Sequence, residues 1–589
     1  MARTSCTPPT ILEHLVESPK LTIRRVDLTT SQRLEASGVH PLLARLWAAR
    51  GITQTKDVQL EWPAMLAPTT LTHAEHAAKL LADAIASNKK MLFVADYDCD
   101  GATACAVGLR ALRAMGADVD YLVPNRFETG YGLSPAVIDL ALLHHAGKPD
   151  LIITVDNGIA SVEGVAEANA QGIGVIVTDH HLPGQTLPNA LAIVNPNQVG
   201  CGFPSKNLAG VGVIFYLMLA LRAELRARGV YTENGGPRLD ALADLVALGT
   251  VADVVKLDPN NRLLVTRGLD RMRRGLMQPG IRALFAVSAR NPQAASGFDL
   301  GFALGPRINA AGRLADMRLG IECLQTDDLA HATQCAQALD QINRERRDIE
   351  GGMREQALLL AQSMLDGFDE PPSALCLFDP DFHEGVVGIV AARIKDQWHR
   401  PTFVFAASQA DGKGDELKGS GRSLPGFHLR DALDLISKRH PGVLLRFGGH
   451  AMAAGCTIHA DHIDVFESAL QQVAQEWLDE ATLQRRLDTD GPLLPEYRRV
   501  ELVEQLNSEV WGQGFAAPTF CEELEVVSQR LVAEKHLSLR LRHQGDMVDA
   551  IWFGRVQPLA ARATLAYRVE TDAWQGQTRV RFVIEAAQE

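Results

Sequence analysis

Short apolar runs alternate with longer stretches of helical spacing from about residue 75 to residue 325. The runs 91–95, 151–155 and 174–178 are almost continuously apolar and rich in Val, Ile and Leu. Buried parallel strands have this pattern, because helices cover both faces of a parallel sheet. The helical stretch 102–114, ended by Gly116, is typical of the helix that follows such a strand. The pattern therefore predicts an α/β fold built on a parallel sheet.

The rest of the chain predicts three further parts. Residues 327–365 are polar with apolar positions at helical spacing, which predicts either a long connecting helix, kinked at Gly351-Gly352, or two shorter helices and a loop. The apolar runs 374–380 and 401–407 predict a second, smaller α/β unit. Residues 536–543 alternate apolar and polar positions, which predicts antiparallel strands of a small C-terminal β-barrel.

Composition narrows the class of protein. A chain of 589 residues is too long for one core, so we expect about three or four domains. The nine cysteines include no CxxC pair, which favours a reducing cytoplasm over disulfides or a zinc site. The start has no signal pattern, and the longest apolar run, 209–221, is too short to span a bilayer, so no membrane role is expected. A net charge of −13 would disfavour nucleic acid unless a local basic patch binds it.

The sequence VADYDCDG (94–101) places three carboxylates within five residues, directly after an apolar run: Asp96, Asp98 and Asp100. Carboxylates this close repel one another strongly unless cations neutralise them. Ligands of open α/β sheets bind at the carboxyl ends of the strands, where these residues are expected. A solvated acidic turn or a calcium loop would explain this cluster if it stood alone.

Other predicted strand ends repeat the acidic pattern. LIITVDNG ends in Asp156, and GVIVTDHH ends in Asp179, His180 and His181. LGTVAD is interpreted as a fourth strand end, at Asp253. Four acidic ends in one α/β segment indicate a metal centre more than an ordinary surface. Oxygen ligands with an imidazole suit Mn²⁺ or Mg²⁺.

Two divalent ions fit this donor set, which consists of Asp96, Asp98, Asp100, Asp156, His180 and Asp253. Two such ions stabilise the attacking and leaving oxygens of a displacement at phosphorus. Asp156, alone on its strand end, is expected to bridge them. Because neighbouring strand residues point oppositely, His181 is expected to contact a phosphate oxygen instead of sharing the metal of His180. Asp179 is expected to orient an imidazole.

These motifs, followed by GPRINAAGR (305–313) and GGHAMAAG (448–455), resemble the DHH phosphoesterase superfamily and, within it, the RecJ family of bacterial exonucleases. The resemblance covers the chain from about residue 70 onward. It implies that one metal is bound by Asp96, Asp98 and Asp156, and the other by Asp100, Asp156, His180 and Asp253. Asp98, Asp156, His180 and His181 become the expected catalytic residues.

The resemblance also implies a domain order. The expected parts are an N-terminal extension (1–70), a DHH catalytic domain (71–326), a connecting helix (327–366), a DHH-associated domain (367–480) and a single-strand-binding OB-fold (481–589).

The expected substrate contacts lie outside the metal cluster and are Arg126, Arg307, Asn309, Arg313, Ser420, Arg422 and His450. In the family, residues matching Arg126, Ser420 and Arg422 bind a 5′-phosphate. GSGRS (419–423) is predicted to be a flexible glycine-rich loop, and from the residues alone such a loop more often has no binding role. From the residues alone, GPRINAAGR is also explained as a tight Gly-Pro turn whose arginines pair with the acidic cluster. His450 is otherwise explained as a packed histidine. Of the barrel aromatics Trp552, Phe553, Tyr567 and Trp574, we expect one or two to be exposed for base stacking.

The resemblance implies a metal-dependent exonuclease that degrades single-stranded DNA processively from 5′ to 3′ into mononucleotides, in DNA repair and recombination. The alternatives are a DHH phosphodiesterase of short oligonucleotides or cyclic dinucleotides, and a replication scaffold without catalysis. The expected protein is a cytoplasmic monomer whose partners are single-stranded DNA, a single-strand-binding protein and a helicase.

Overall fold

The computed structural model of the protein describes residues 18–125, 129, 132–365, 372–408, 415–574 and 577–588. These residues form two compact units. The larger unit consists of Val26–Arg344 and Gln505–Ala517, and the smaller unit of 18–25, Glu345–Glu504 and Pro518–Glu589. Among the described helices, none is both long and apolar enough to cross a membrane.

The N-terminal segment is shared between the two units. Its elements are β1 (Lys20–Ile23), α1 (Leu28–Ala36) and α2 (Pro41–Ala48). Strand β1 belongs to the smaller unit, where it pairs in parallel with the segment Arg486–Thr489. Helix α1 begins after Asp27, whose side chain accepts a hydrogen bond from the amide of Thr29, and it lies in the larger unit.

A five-stranded parallel sheet forms the centre of the larger unit, as the apolar runs predict. Its elements in chain order are α3 (Ala74–Ala86), β2 (Lys90–Ala95), α4 (Cys99–Ala114), β3 (Asp118–Leu122), α5 (Pro135–Leu142), β4 (Leu151–Val155), α6 (Val162–Ala170), β5 (Gly174–Thr178), β6 (Ala192–Val194) and α7 (Gly210–Ala227). The strand order is β3-β2-β4-β5-β6. The carboxyl ends of β2, β4 and β5 are therefore neighbours along one edge, because all of these pairings are parallel.

Helices complete the larger unit. They are α8 (Ala243–Ala252), α9 (Pro259–Arg273), α10 (Pro279–Val287), α11 (Gly297–Asp299), α12 (Gly305–Leu314) and α13 (Arg318–Gln325). Helix α14 (Leu329–Leu365) then runs for 37 residues without interruption through Gly351-Gly352, so the single connecting helix is the correct alternative.

The smaller unit contains a five-stranded mixed sheet. Its elements are β7 (Leu375–Phe378), α15 (Val387–Trp398), β8 (Thr402–Ala407), β9 (Glu416–Arg422), α16 (Leu429–Arg439), β10 (Arg446–Gly449), β11 (Ala453–His459) and α17 (Ile463–Trp477). The strand order is β10-β11-β9-β8-β7. Phe403, Phe405 and Phe466 pack together in its core.

The C-terminal segment forms a closed barrel. The remaining elements are α18 (Glu480–Leu483), β12 (Arg486–Thr489), α19 (Val500–Ser508), β13 (Phe520–Val532), β14 (His536–His543), β15 (Asp546–Phe553), β16 (Arg562–Trp574) and β17 (Gln577–Gln588). The barrel order is β13-β14-β15-β17-β16. The predicted fold class, with a parallel-sheet domain, a long helix, a smaller α/β domain and a barrel, is confirmed.

Candidate metal centre and active site

The loop after β2 holds three carboxylates at the start of α4. Asp98 is the N-cap of α4, and its Oδ1 accepts a hydrogen bond from the amide of Gly101 at 3.0 Å. Asp96 Oδ1 accepts from the amide of Tyr97 at 2.8 Å. Asp100 lies in the first turn of α4. The amides of Gly210 and Val211, at the start of α7, donate hydrogen bonds to its two carboxylate oxygens. Unpaired amides at helix N-termini favour negative charge, so the loop can hold several carboxylates together.

Asp156 follows β4 in a left-handed conformation with φ of 65°. Such a conformation costs a non-glycine residue about 1–3 kcal/mol and is retained mainly at functional sites. The first residue of α7, Gly210, approaches Asp156 so closely that an added Cβ would lie 2.6 Å from its Oδ1. Asp156 therefore stands in a confined position that only a glycine neighbour permits.

The two histidines lie side by side, which corrects the expectation that they point in opposite directions. Strand β5 ends at Thr178, so the alternation of strand side chains does not extend to His180 and His181. Their ring centroids are 4.5 Å apart, and each ring offers a nitrogen to one candidate metal group with Asp156. Asp179 Oδ1 lies 2.7 Å from His181 Nδ1, the imidazole-orienting contact that was expected.

Asp253 is at the end of a helix, not of a strand as the sequence suggested. It is the C-cap of α8, and its Oδ2 lies 3.5 Å from His180 Nε2. The same nitrogen is 3.1 Å from Asp156 Oδ1 and 4.0 Å from Asp100 Oδ2. LGTVAD was misinterpreted because a short buried helix and a buried strand have the same uninterrupted apolar composition.

The side chains form overlapping groups whose donor atoms lie within 4.8 Å of one another, namely Asp96–Asp98–Asp156, Asp100–His180–Asp253 and Asp156–His180–His181. Asp156 is common to the first and the last of these groups. It therefore occupies the position between two candidate ion sites. Oxygen donors with an imidazole are the set that Mn²⁺ and Mg²⁺ accept, so the residues fit divalent cations.

The protein alone disfavours the charges of this cluster. Burial, followed by repulsion from neighbouring carboxylates, raises the pKa values of Asp96, Asp156 and Asp253 well above their ordinary range. The same causes raise the pKa of Asp100 to about 7, although the two amides of α7 oppose the change. Divalent cations would reverse this effect, because they favour the ionised carboxylates.

The Asp179–His181 pair differs from the rest of the cluster. Burial opposes the charged forms of both side chains, but their hydrogen bond and mutual charge prevail. The pKa of Asp179 is lowered, and the pKa of His181 is raised to about 9. The hydrogen bond to Asp179 thus favours the cationic form of the His181 imidazole in the metal-free protein.

Three asparagines support the centre, and the sequence interpretation missed these supporting contacts. Asn195 Nδ2 donates to the carbonyl oxygen of His181 at 2.9 Å, and Asn197 Nδ2 donates to that of His180 at 2.6 Å. Asn309 Oδ1 accepts a hydrogen bond from the amide of Cys99 at 2.7 Å. The signal for the first two was present, since NPN follows β6 as the acidic residues follow the other strands.

GPRINAAGR forms most of helix α12, so the alternative of a tight Gly-Pro turn is wrong. Arg307 is buried and contacts Asp340 of α14 at 2.8 Å, and it also donates to the carbonyl oxygen of Ala303 at 2.6 Å. Among the contacts that the described residues show, the carboxylate partner of Arg307 is on α14. Arg313 is half-buried near the end of the same helix.

Ser420 and Arg422 lie on strand β9, so the prediction that they stand on a flexible loop is wrong. Their neighbour Gly421 is required because a Cβ there would lie 2.4 Å from the ring of Phe403. Arg422 Nη1 donates to Ser420 Oγ at 3.1 Å, and among the described residues no carboxylate forms an ion pair with this arginine. A Cβ on Gly388, near the start of α15, would lie 2.8 Å from Ser420 Oγ and 2.8 Å from Arg422 Nη2.

The remaining predicted substrate contacts lie in several separate segments of the chain. His450 is exposed between β10 and β11, where its amide donates to the carbonyl oxygen of Ala453. Arg126 lies outside the described residues. In the barrel, Tyr567 is fully buried, whereas Phe553 is 53% exposed; the side chain of Trp574 lies outside the described part. The centre in the larger unit thus unites all six predicted metal ligands, while Ser420, Arg422 and His450 belong to the smaller unit.

Comparison with known proteins gives matches along most of the chain. Residues 90–250 match the DHH family, N-terminal domain; residues 372–476 match the DHHA1 domain; and residues 489–586 match the RecJ OB domain. The chain is 44% identical to the single-stranded-DNA-specific exonuclease RecJ of Escherichia coli, over 96% of this chain and 99% of the relative. It is 46% identical to the Haemophilus influenzae protein of the same name, over 93% and 96% of the two chains.

Among solved structures, RecJ of Thermus thermophilus in complex with Mn²⁺ is similar with a TM-score of 0.79 and 30% identity. The similarity covers 97% of this chain and 79% of that one. The corresponding Mg²⁺ complex gives a TM-score of 0.75 at 28% identity.

Proposed function

We propose a function for this chain from the family to which it belongs: it is a member of the RecJ family of DHH phosphoesterases. It is a single-stranded-DNA-specific exonuclease that uses Mn²⁺ or Mg²⁺. The observation that carries this conclusion is the acidic centre, because a scaffold without catalysis would not need to bury so many carboxylates at a cost. Cleavage from 5′ to 3′, processive action, mononucleotide products and a role in repair and recombination are the finer parts of the proposal.

We assign Asp96, Asp98 and Asp156 to one ion and Asp100, Asp156, His180 and Asp253 to the other. The overlapping donor groups support this division. Divalent cations, when bound, supply polarisation of the scissile phosphate and acidification of the attacking water. The protein holds the carboxylates in place with the amides of α4 and α7, and it holds the histidine backbone with Asn195 and Asn197.

His181 is proposed to bind a nonbridging oxygen of the scissile phosphate. Because Asp179 engages its Nδ1, the contact with phosphate would be made by Nε2. The hydrogen bond to Asp179 fixes the ring plane before substrate arrives, so little orientation entropy is lost on binding. Asn309 is proposed to act by positioning the Asp98–Asp100 turn, and Arg307 by holding α12 against α14.

Ser420 and Arg422 are proposed to bind the 5′-phosphate of the strand, with Arg126 and His450 as further phosphate contacts. Among the described residues Arg422 has no carboxylate partner, and it lies beside a hydroxyl and the start of α15, which suits a phosphate. Recognition of a phosphorylated end would determine the direction of cleavage.

The barrel (within 481–589) is proposed to bind the single strand. Phe553 is exposed, its ring lies 5.2 Å from that of His536, and the Arg555 guanidinium lies 4.8 Å over the ring of Trp552. Such aromatic and basic side chains stack on bases and contact phosphates. Residues 71–326 would then carry catalysis, 327–366 the connection and 367–480 the end recognition.

A single experiment tests the reaction. Oligonucleotides labelled at either end, single- and double-stranded, are incubated with the protein and Mn²⁺, Mg²⁺ or a chelator. Release of mononucleotides from the 5′ end of single strands, only with metal, is expected. Asp156→Ala should abolish it, whereas Asp118→Ala, at the exposed amino end of β3, should not. Cleavage of cyclic dinucleotides or very short oligonucleotides alone would favour the alternative phosphodiesterase.

A second comparison tests end recognition. Arg422→Ala should remove the preference for 5′-phosphorylated over 5′-hydroxyl strands and leave hydrolysis of the hydroxyl strand unchanged. Equal preference in the variant and the original chain would contradict the assignment. Binding to a single-strand-binding protein or a helicase, a monomeric state and a cytoplasmic location remain predictions.

A further inference from the structure

Two exposed phenylalanine rings stack on each other at the surface of the larger unit. The ring centroids of Phe298 and Phe302 are 4.8 Å apart, and the ring planes differ by 24°. Phe298 is 52% exposed and Phe302 is 67% exposed. Single exposed apolar side chains are ordinary, but adjoining ones mark interaction sites. The metal centre described above makes no use of this pair.

Phe302 lies on a π-helical turn, Leu300–Leu304, between α11 and α12, and Phe298 lies in α11 directly before this turn. Turns of this kind are rare and occur frequently at functional sites. Arg307 holds the turn, because its guanidinium donates to the carbonyl oxygen of Ala303 and pairs with Asp340 of α14. The exposed rings are thus presented by a braced segment of backbone.

The π-helical turn packs against the end of α8, which delivers Asp253 to the metal centre. A Cβ on Gly301 would lie 3.4 Å from Val251 Cγ1, and a Cβ on Gly305 would lie 3.1 Å from the Cβ of Ala252. Ala252 directly precedes Asp253 in the chain, and consecutive Cα atoms are about 3.8 Å apart. The backbone segment that carries Phe302 is therefore packed against the helix that ends at Asp253.

An arginine completes the surface. The guanidinium of Arg290 lies 5.7 Å from the ring centroid of Phe298 and 3.7 Å from Asp299 Oδ1, and its side chain is 47% exposed. Aromatic faces with an adjacent arginine are the combination that binds single-stranded nucleic acid, since every base has a π-face and every nucleotide a phosphate.

We propose that Phe298 and Phe302 form a platform on which an unpaired base of the substrate strand stacks beside the metal centre. The inference rests on the proposed function and adds a determinant of single-strand selectivity. A base in a single strand can stack on Phe302 freely, whereas a paired base must first leave its duplex. The platform therefore favours single strands at the point of cleavage.

The test uses the full chain with Mn²⁺ and 5′-phosphorylated oligodeoxynucleotides that carry one abasic site at successive positions from the 5′ end. Phe302→Ala should raise KM for the intact strand about 5- to 150-fold, the range expected for loss of one stacked base. Phe302→Trp should restore KM, while Phe302→Leu, apolar without a π-face, should not. Val230→Ala removes a side chain that is 58% exposed in the same unit and serves as the matched control.

The abasic scan makes the test specific. In the original chain, removal of the base at one position should raise KM. In Phe302→Ala, removal of the base at the same position should leave KM unchanged, because the base and the Phe302 ring act as a pair. Identical KM values and identical scans for the Ala, Leu and Trp variants would overturn the platform while leaving the exonuclease intact.

Failure of the proposed function would look different. The original chain would then leave single strands uncut with every metal. Fluorescence anisotropy of the same labelled strands would still decide on the platform: weaker binding of Phe302→Ala than of Phe302→Trp supports it, and equal binding refutes it.

Discussion

Replacing Asp156 with asparagine should stabilise the metal-free protein while abolishing hydrolysis. In the absence of cations, raising the pKa of Asp100 from 3.8 to about 7 corresponds to about 4 kcal/mol against its ionised form. The unfolded chain releases this proton near the ordinary value, so the metal-free protein should lose stability as pH rises from about 4 to about 7. Burial and the charge of Asp100 likewise raise the pKa of Asp156.

The substitution removes one of these costly charges from the middle of the cluster. We expect Asp156→Asn in chelator at pH 8 to exceed the original chain in unfolding free energy by on the order of 2–4 kcal/mol. The difference should shrink toward pH 4, where both chains hold protonated carboxyl groups. Addition of Mn²⁺ should stabilise the original chain more than the variant, because only the original keeps the shared carboxylate.

Scanning calorimetry is the suitable assay, since two compact units can give separate transitions. The transition that responds to Mn²⁺ belongs to the larger unit and should carry the pH dependence. Asp118→Asn, a substitution of an exposed aspartate at the amino end of β3, is the control. A variant less stable than the original chain at pH 8 in chelator, or a difference that does not change with pH, would refute the reasoning.

Three further predictions concern the support of the centre. Gly210→Ala places a Cβ 2.6 Å from Asp156 Oδ1. The affinity for Mn²⁺, measured by calorimetric titration, should therefore fall at least tenfold, which corresponds to about 1.4 kcal/mol. Unchanged affinity would contradict the close approach. Asn309→Ala removes the acceptor of the Cys99 amide, which should lower the free energy of unfolding by about 1–3 kcal/mol. It should also lower kcat more than it raises KM. Asn309→Asp keeps an acceptor oxygen and should recover most of kcat. Asp340→Ala leaves the buried Arg307 charge without this carboxylate. In urea denaturation the larger unit should lose about 3–5 kcal/mol of unfolding free energy. A loss of unfolding free energy below about 1 kcal/mol would show that the ion pair contributes little.

Much of the candidate centre could be predicted from local patterns. The carboxylates after β2, β4 and β5 follow strands whose apolar composition identifies them as parallel, and parallel neighbours place their carboxyl ends at one edge. Proximity of Asp96, Asp156 and His180 follows from that rule without any knowledge of the rest of the chain. The alternation of β14 identified a barrel strand for a similar reason, because period two is a property of the strand itself.

Tertiary structure decided the roles of residues whose surroundings come from distant parts of the chain. Asp253 joins the centre from a helix because α8 is buried on all sides, which hides the helical period that would have identified it. Arg307 pairs with Asp340, 33 residues away on another helix, so its burial has no local signal. Gly421 serves a strand and not a loop because a ring of the neighbouring strand covers it. Periodicity records how one segment meets solvent, whereas these contacts depend on which other segment covers it, and that choice is made only when the chain packs.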